Sequence, residues 1–320
     1  MILSRAPLRI SLFGGGTDYP EYYQKFPSTV IGFAINKYVY TMCRQTPRIL
    51  PYHTFVQYSK TEIVDDNKKI KHNGVRGVLE YLGIKYGMEI STFMDVPART
   101  GLGSSSSFVV SLLNGVQCVR NDRVTPASKK WLANTAIHIE RALLEEPGGI
   151  QDQIWAAYGG VNTISMDGGF KVKPLPVTEY FLHNLRKSMV VFYTGKQRNS
   201  FGIASSHKQI DQKHKIAAIA QEAKTAFDNE DIWEVAKLLD RSWEAKRKVS
   251  NLISNSDIDT LHKQLKDSGA IGCKLLGAGG SGFMLCITDD PDKLRQKNKN
   301  LLELEFDYDM EGSKIVYTHE

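Results

Sequence analysis

Pro97-Ala98-Arg99-Thr100-Gly101-Leu102-Gly103-Ser104-Ser105-Ser106-Ser107 runs straight into the apolar-periodic segment Phe108-Val109-Val110-Ser111-Leu112-Leu113. Residues of these types in this order make an anion site. Two glycines let the backbone bend and approach a ligand closely. The hydroxyls then cap a helix whose first N–H groups have no partner inside the helix. The positive end of such a helix suits a polyphosphate, and a serine hydroxyl there can reach the accompanying metal ion. The competing reading is a flexible linker, but linkers rarely stand between Val-Pro and a well-formed amphipathic run.

Other residues with chemical potential are ambiguous one at a time. In Glu145-Glu146-Pro147-Gly148-Gly149-Ile150-Gln151-Asp152-Gln153, Asp152 reads as a turn aspartate in a glycine-bounded loop. Glu140 falls on the polar face of the preceding helical run and reads as a solvated charge. Arg5 and Arg9 read as surface residues of an edge strand. Gly277, Gly279 and Gly282 have the G-x-G-x-x-G spacing of a dinucleotide fingerprint. That fingerprint opens a helix, whereas here Phe283-Met284-Leu285-Cys286-Ile287 is a strand run, so the loop reads as a turn between two strands. No G-x-x-x-x-G-K-[ST] occurs, which excludes a Walker loop.

The elements that must hold these residues follow from periodicity. Leu8-Arg9-Ile10-Ser11-Leu12-Phe13 alternates as a strand and breaks at Gly14-Gly15-Gly16. A second strand is expected at 37–43 after a turn-rich interval, a turn at 65–69, a helix at 75–82 and a strand at 90–96 that delivers the chain to the Gly/Ser loop. Strand, glycine loop, helix is the order an anion cradle requires. A helix is expected over 129–144, with Trp131, Leu132, Thr135, Ala136, Ile139 and Leu143 on its apolar face. Glycine pairs at 148–149, 159–160 and 168–169 mark loops and a hairpin. After Pro174-Leu175-Pro176 come a strand at 189–193, a helical region over 204–250, and a helix over 257–267 with Ser256 and Asp259 as a capping box and Gly269 as its stop.

The chain of 320 residues suits two domains, 1–180 and 181–320. With 42% hydrophobic and 24% charged residues its composition is that of a soluble globular protein. Arginines and a proline interrupt the N-terminus before a signal sequence could form, so a cytoplasmic location is expected. The four cysteines are far apart and lack ligand spacing, which points to reduced core thiols. A net charge of +6, dispersed apart from runs such as Lys246-Arg247-Lys248, fits anionic small molecules better than nucleic acid, and with no apolar run near the roughly 20 residues of a membrane span no membrane partner is expected.

Taken together, three motifs resemble those of the GHMP kinases, the family of galactokinase, homoserine kinase, mevalonate kinase and phosphomevalonate kinase. They are Ala6-Pro7-Leu8-Arg9-Ile10-Ser11-Leu12-Phe13-Gly14-Gly15-Gly16-Thr17-Asp18-Tyr19, the loop 97–107, and the stretch 274–283. The first motif and Gly-Gly-Ile-Gln-Asp-Gln look like the branch acting on heptose 7-phosphate and fucose. The resemblance implies an α+β fold, an N-terminal ribosomal-protein-S5-like domain followed by a ferredoxin-like one, with the active site between them. It implies ATP on Gly101, Leu102, Gly103, Ser104, Ser105, Ser106 and Ser107, Mg²⁺ between Ser105 and Glu140, and catalysis by Asp152 with Arg9 steadying the phosphoryl group. Asp18 matches the sugar-binding aspartate of galactokinase-like members. Gly15 and Gly16 stand where galactokinase has Glu and His, leaving room for a larger sugar.

Thr17, Gly279 and Gly280 are the remaining substrate contacts expected, with Lys196 and Arg198, or Lys37, to meet a phosphate already on the acceptor. The implied reaction is phosphorylation of the C1 hydroxyl of D-glycero-α-D-manno-heptose 7-phosphate, a step towards activated heptose for surface polysaccharide. Another sugar or isoprenoid kinase of the family, a kinase-like protein without activity, and a nucleic-acid-binding module are the competing expectations. Oligomeric state is open.

Overall fold

The computed structural model describes residues 1–121, 127–195 and 209–318. The chain opens with two long antiparallel strands, β1 (Ile2–Phe13) and β2 (Ser28–Gln45), joined through the glycine turn and a short helix α1 (Pro20–Tyr23). β2 is longer than its sequence suggests. Its first half carries Gly32, where a Cβ would stand 2.4 Å from the Ile10 carbonyl oxygen, so the residue that weakens the strand signal is the one that lets β1 approach.

Next come β3 (Thr54–Gln57), β4 (Thr61–Val64), a 3-10 turn at Asn67–Lys69, α2 (Asn73–Tyr81) and β5 (Met88–Met94). Helices α3 (Ser104–Asn121), α4 (Lys129–His138) and α5 (Gln151–Tyr158) precede the hairpin β6 (Val161–Met166) and β7 (Phe170–Pro174). The eight-stranded sheet has the order β11 (Lys314–Thr318), β1, β2, β5, β3, β4, with β6 and β7 added beside the first half of β2. All pairs are antiparallel except β3 with β5. The last strand, β11 (Lys314–Thr318), returns from the far end of the chain to pair with β1.

The second half starts with α6 (Glu179–Ser188) and β8 (Met189–Tyr193), followed by the described helices α7 (Ile210–Asp228), α8 (Ile232–Arg247) and α9 (Ser256–Asp267). Strands β9 (Gly272–Leu275) and β10 (Phe283–Ile287) then form, with β8, a three-stranded antiparallel sheet in the order β8-β10-β9, and α10 (Pro291–Lys297) follows. The glycine run 277–282 is thus a connection between paired strands, as Phe283–Ile287 implied. The cap of α9 lies one residue earlier than expected. Asn255 accepts from the N–H groups of Asp257 and Ile258, while Asp259 is taken by the Ser254 hydroxyl at 2.6 Å.

Alternation along β1 puts Ala6, Leu8, Ile10 and Leu12 in a fully buried row and Arg9 and Ser11 on the opposite face. Helix α3 packs across β1 and β2. A buried hydroxyl cluster of Ser4, Thr41 and Ser111 pins it there, with the Ser4 hydroxyl also reaching the Ser111 carbonyl at 2.7 Å. Helix α7 packs against β1 and β2, and α8 packs on β9. Buried Lys274 of β9 donates to the carbonyls of Ser11 and Leu12, tying the small sheet to β1, and burial holds its ammonium well below the usual lysine range. No described helix is long and apolar enough to cross a membrane.

Candidate active site

A cavity of about 450 Å³ opens where β1, the start of α3, the α4–α5 connection and the 277–282 turn meet. Arg9 lies on its wall, 5% exposed, so the edge-strand surface reading of this residue is corrected. Its Nε and Nη2 donate to the two carboxylate oxygens of Asp152 at 2.8 and 2.9 Å, and Nη1 donates to the Gly101 carbonyl at 2.6 Å. Asp152 sits in the first turn of α5, not in a loop. There the helix N-terminus favours its charge and the Arg9 fork fixes its plane.

The Gly/Ser loop is held from below. The Arg9 amide donates to Leu102 O at 3.0 Å, Leu102 is buried in the core, and the Ser107 hydroxyl turns away to Pro7 O at 2.7 Å. Arg99, Gly101 and Gly103 all have φ between 63° and 82°. A Cβ at Gly101 would stand 2.5 Å from Leu276 O, and one at Gly277 2.3 Å from the Gly101 Cα. The two glycine loops therefore meet backbone to backbone, and only glycine permits it. Of the loop, Arg99, Ser105 and Ser106 line the cavity, while Ser104 opens α3 as a buried residue.

Glu140 is not a solvated charge. The helical run expected over 129–144 changes at Ile139 into a π-turn (Ile139–Leu143), closed by the Leu144 amide on Ile139 O. The extra residue of such a turn re-phases the side chains that follow. Glu140, 3% exposed, accepts from the Ser106 hydroxyl at 2.8 Å and the Gln153 amide at 2.5 Å. Burial pushes its carboxyl up to about 8, against the pull of those two donors. The hydroxyl that hydrogen-bonds Glu140 is thus that of Ser106. Successive residues of a helix point about 100° apart, and with Ser106 aimed at Glu140, Ser105 is left exposed at the cavity mouth.

Asp18 is 1% exposed and accepts from the amides of Gly16 at 2.8 Å and Gln151 at 3.3 Å. Burial raises its pKa above the ordinary aspartate value. Gly149 packs on it so closely that a Cβ would lie 1.7 Å from Oδ2. Gly15 and Gly16 line the cavity beside it. Thr17 does not reach the cavity, because its hydroxyl closes the glycine turn onto Gly14 O at 2.7 Å and meets Ser28 at 2.6 Å. Gly279 and Gly280 clasp Ile253 instead, and Gly277 and Ala278 form that wall. Lys37 is half-buried and away from the cavity lining, and Lys196 and Arg198 lie outside the described residues.

Lys246 was overlooked by the sequence reading. From α8 it lines the cavity, 6% exposed, and donates to the Gly277 carbonyl. Burial, then the nearby Arg9, lowers its ammonium to about 8, with Asp18 and Asp152 pulling the other way. Its signal was present in the phase Val235, Leu239, Ser242, Trp243, Lys246, which makes it the cation on the buried face of that helix.

Several buried atoms around the cavity lack a partner among the described residues: Ser11 Oγ, Gln151 Oε1, Gln153 Oε1 and Arg141 Nε. Such atoms are costly unless a ligand meets them. Among the described residues no three His, Cys, Asp or Glu side chains cluster as a metal cage would need. A Mg²⁺ arriving on a nucleotide needs only one or two protein oxygens, and Glu140, Ser106 and Gln153 Oε1 offer that set.

Known proteins resemble this chain along most of its length. The model of the GHMP kinases N-terminal domain matches residues 72–160, and that of their C-terminal domain matches 223–303. A D-glycero-alpha-D-manno-heptose 7-phosphate kinase of Campylobacter jejuni is 28% identical over 310 residues, covering 91% of each chain. A galactokinase of Pyrococcus furiosus is 26% identical over 90% of this chain and 89% of its own. The crystal structure of a D-glycero-D-manno-heptose 1-phosphate kinase from Bacteroides thetaiotaomicron superposes with a TM-score of 0.82 at 24% identity, covering all of both chains.

Proposed function

We propose, on the premise that this chain belongs to the GHMP kinases and is an ATP-dependent phosphotransferase acting on an alcohol, that its acceptor is D-glycero-α-D-manno-heptose 7-phosphate. Its product is then the 1,7-bisphosphate, phosphorylated at the anomeric C1 hydroxyl. The observation that carries this reading is the placement of Asp152 in one cavity with the buried, glycine-flanked Asp18 and with the Glu140–Ser106 pair. Full-length similarity to a heptose 7-phosphate kinase supports the choice among sugars, as does the space left by Gly15 and Gly16.

In this reading residues 1–180 cradle the nucleotide and most of the sugar, and 181–320 supply Lys246 and the Gly277–Ala278 wall. The ATP phosphates lie over the Gly101–Gly103 loop and the first amides of α3, beside Arg99 and Ser105. Glu140 and Ser106 would hold Mg²⁺, which when bound neutralises phosphate charge and orients the transferring group. Asp18 accepts hydrogen bonds from sugar hydroxyls and sets the acceptor's register. Asp152 keeps lone pairs beyond those used by Arg9, so it can accept the proton of the attacking hydroxyl, or orient it, for direct in-line transfer.

Arg9 holds the Asp152 carboxylate in place. Lys246 has three N–H donors, and a single protein acceptor, Gly277 O, is seen for them among the described residues, so it faces the transferring phosphoryl group with donors to spare. Asp152→Asn tests the assignment. ATP consumption with the sugar phosphate should fall by about 100-fold or more while nucleotide affinity is kept, and near-normal turnover would remove Asp152 from the reaction.

A further inference from the structure

Arg141 follows Glu140 on the π-turn and lines the same cavity, yet none of the roles above uses it. A guanidinium presents five N–H donors in a rigid fork, and its Nε–Nη2 edge is one of the faces that match a carboxylate or phosphate bidentately. Here Nη1 is engaged, donating to the Glu146 carbonyl at 2.5 Å. The Nε–Nη2 edge is different. Nε is buried without a partner, and the closest carboxylate to Nη2 is the largely exposed Glu21, 3.9 Å away and beyond hydrogen-bond reach. Arg9 makes the contrast, with Nε, Nη1 and Nη2 all bonded to protein acceptors.

The position of this fork is informative. Arg141 belongs to the Asp18 side of the cavity, where its charge acts on Tyr19 and Tyr23 and it approaches Glu21. On the same side buried Lys213 lies over the Tyr19 ring at 5.1 Å, adding a second positive charge close to Asp18 and Glu21. The acceptor side of the cavity therefore carries one lining cation, Arg141, beyond those needed for the transferring phosphoryl group, with Lys213 near it but outside the lining. A sugar hydroxyl can accept from Nε, but only an anion also meets the charge of the fork and fits its two parallel donors.

We propose that the Nε–Nη2 edge of Arg141 binds the phosphate already carried by the acceptor, making Arg141 the residue that selects a sugar phosphate over a free sugar. This rests on the sugar-phosphate reading given above.

The test compares D-glycero-α-D-manno-heptose 7-phosphate with the unphosphorylated heptose in the wild type, Arg141→Gln and Arg141→Lys, with ATP saturating. The proposal expects the ratio of kcat/KM between the two sugars to collapse by about 100-fold in Arg141→Gln, in line with the loss of two charge-assisted hydrogen bonds. Arg141→Lys should recover part of the ratio, since it restores charge without the fork, and KM for ATP should stay put. An unchanged ratio, with both sugars losing equally or KM for ATP rising instead, overturns it. The two readings fail differently. A wild type that turns over the free sugar but no sugar phosphate sinks the proposed acceptor and this inference with it, whereas a wild type active on the 7-phosphate whose ratio survives Arg141→Gln sinks this inference alone.

Discussion

Replacing Glu140 by Gln should make the ligand-free protein more stable and its chemistry worse. The carboxyl sits at about 8 in the folded chain, against 4.5 as the ordinary value. A group whose folded pKa is raised contributes stability that is fully present below 4.5 and is lost as pH climbs through 8. Over that window the unfolded chain releases a proton that the folded chain keeps. Each pH unit costs about 1.4 kcal/mol, so at pH 7 the wild type has forfeited roughly 3 kcal/mol at this one side chain. The amide introduced by Glu140→Gln is neutral at every pH. Its oxygen can accept from Ser106 while its nitrogen donates to the orphaned Gln153 Oε1.

The substitution therefore removes the slope. For a chain of this length about 3 kcal/mol corresponds to roughly 4 °C in Tm. Urea unfolding of wild type and Glu140→Gln, both free of nucleotide and divalent metal, should show a stability gap that widens by about 3 kcal/mol between pH 5.5 and 7.5. Turnover with Mg²⁺ and ATP should drop in the same variant. A gap that is constant across this range, or a variant less stable than wild type at pH 7.5, would refute the argument that the site holds a costly buried acid in readiness for a cation.

Two further outcomes follow from the same geometry. Because Lys246 loses its proton near pH 8, kcat/KM should fall as pH rises through that value. Lys246→Arg should flatten this limb and Lys246→Met should lower activity at every pH; an identical profile in wild type and Lys246→Met would exclude its role. Gly149→Ala places a methyl 1.7 Å from Asp18 Oδ2, so the buried carboxylate must move. Sugar affinity should fall by about 10-fold or more with little change in nucleotide affinity, and calorimetric binding of each ligand would expose the opposite result.

The glycine loop and the helix it opens were legible because their signal is local: the bending glycines, the serines and the apolar helix are contiguous from Gly101 to Leu113. What the sequence could not display is phase and burial between distant segments. Glu140 looks solvated until Ser106 and Gln153, 34 and 13 residues away, close on it, and the π-turn that aims it has no marker of its own. That Ser106 rather than Ser105 hydrogen-bonds Glu140 is a matter of one step around a helix, which the neighbouring chain decides. Arg9 looked peripheral because a lone arginine in an alternating strand is usually wet, and only Asp152, 143 residues on, gives it a buried partner. Thr17 shows the converse, a hydroxyl inside a motif that serves the turn's own geometry.

Phosphorus NMR of the product tests the identity of the reaction directly. ATP and D-glycero-α-D-manno-heptose 7-phosphate with the wild-type enzyme should yield ADP and a new resonance coupled to the anomeric proton, alongside the unchanged 7-phosphate. A new phosphate on any other carbon, or ADP formed with free sugars while the 7-phosphate stays untouched, would contradict it.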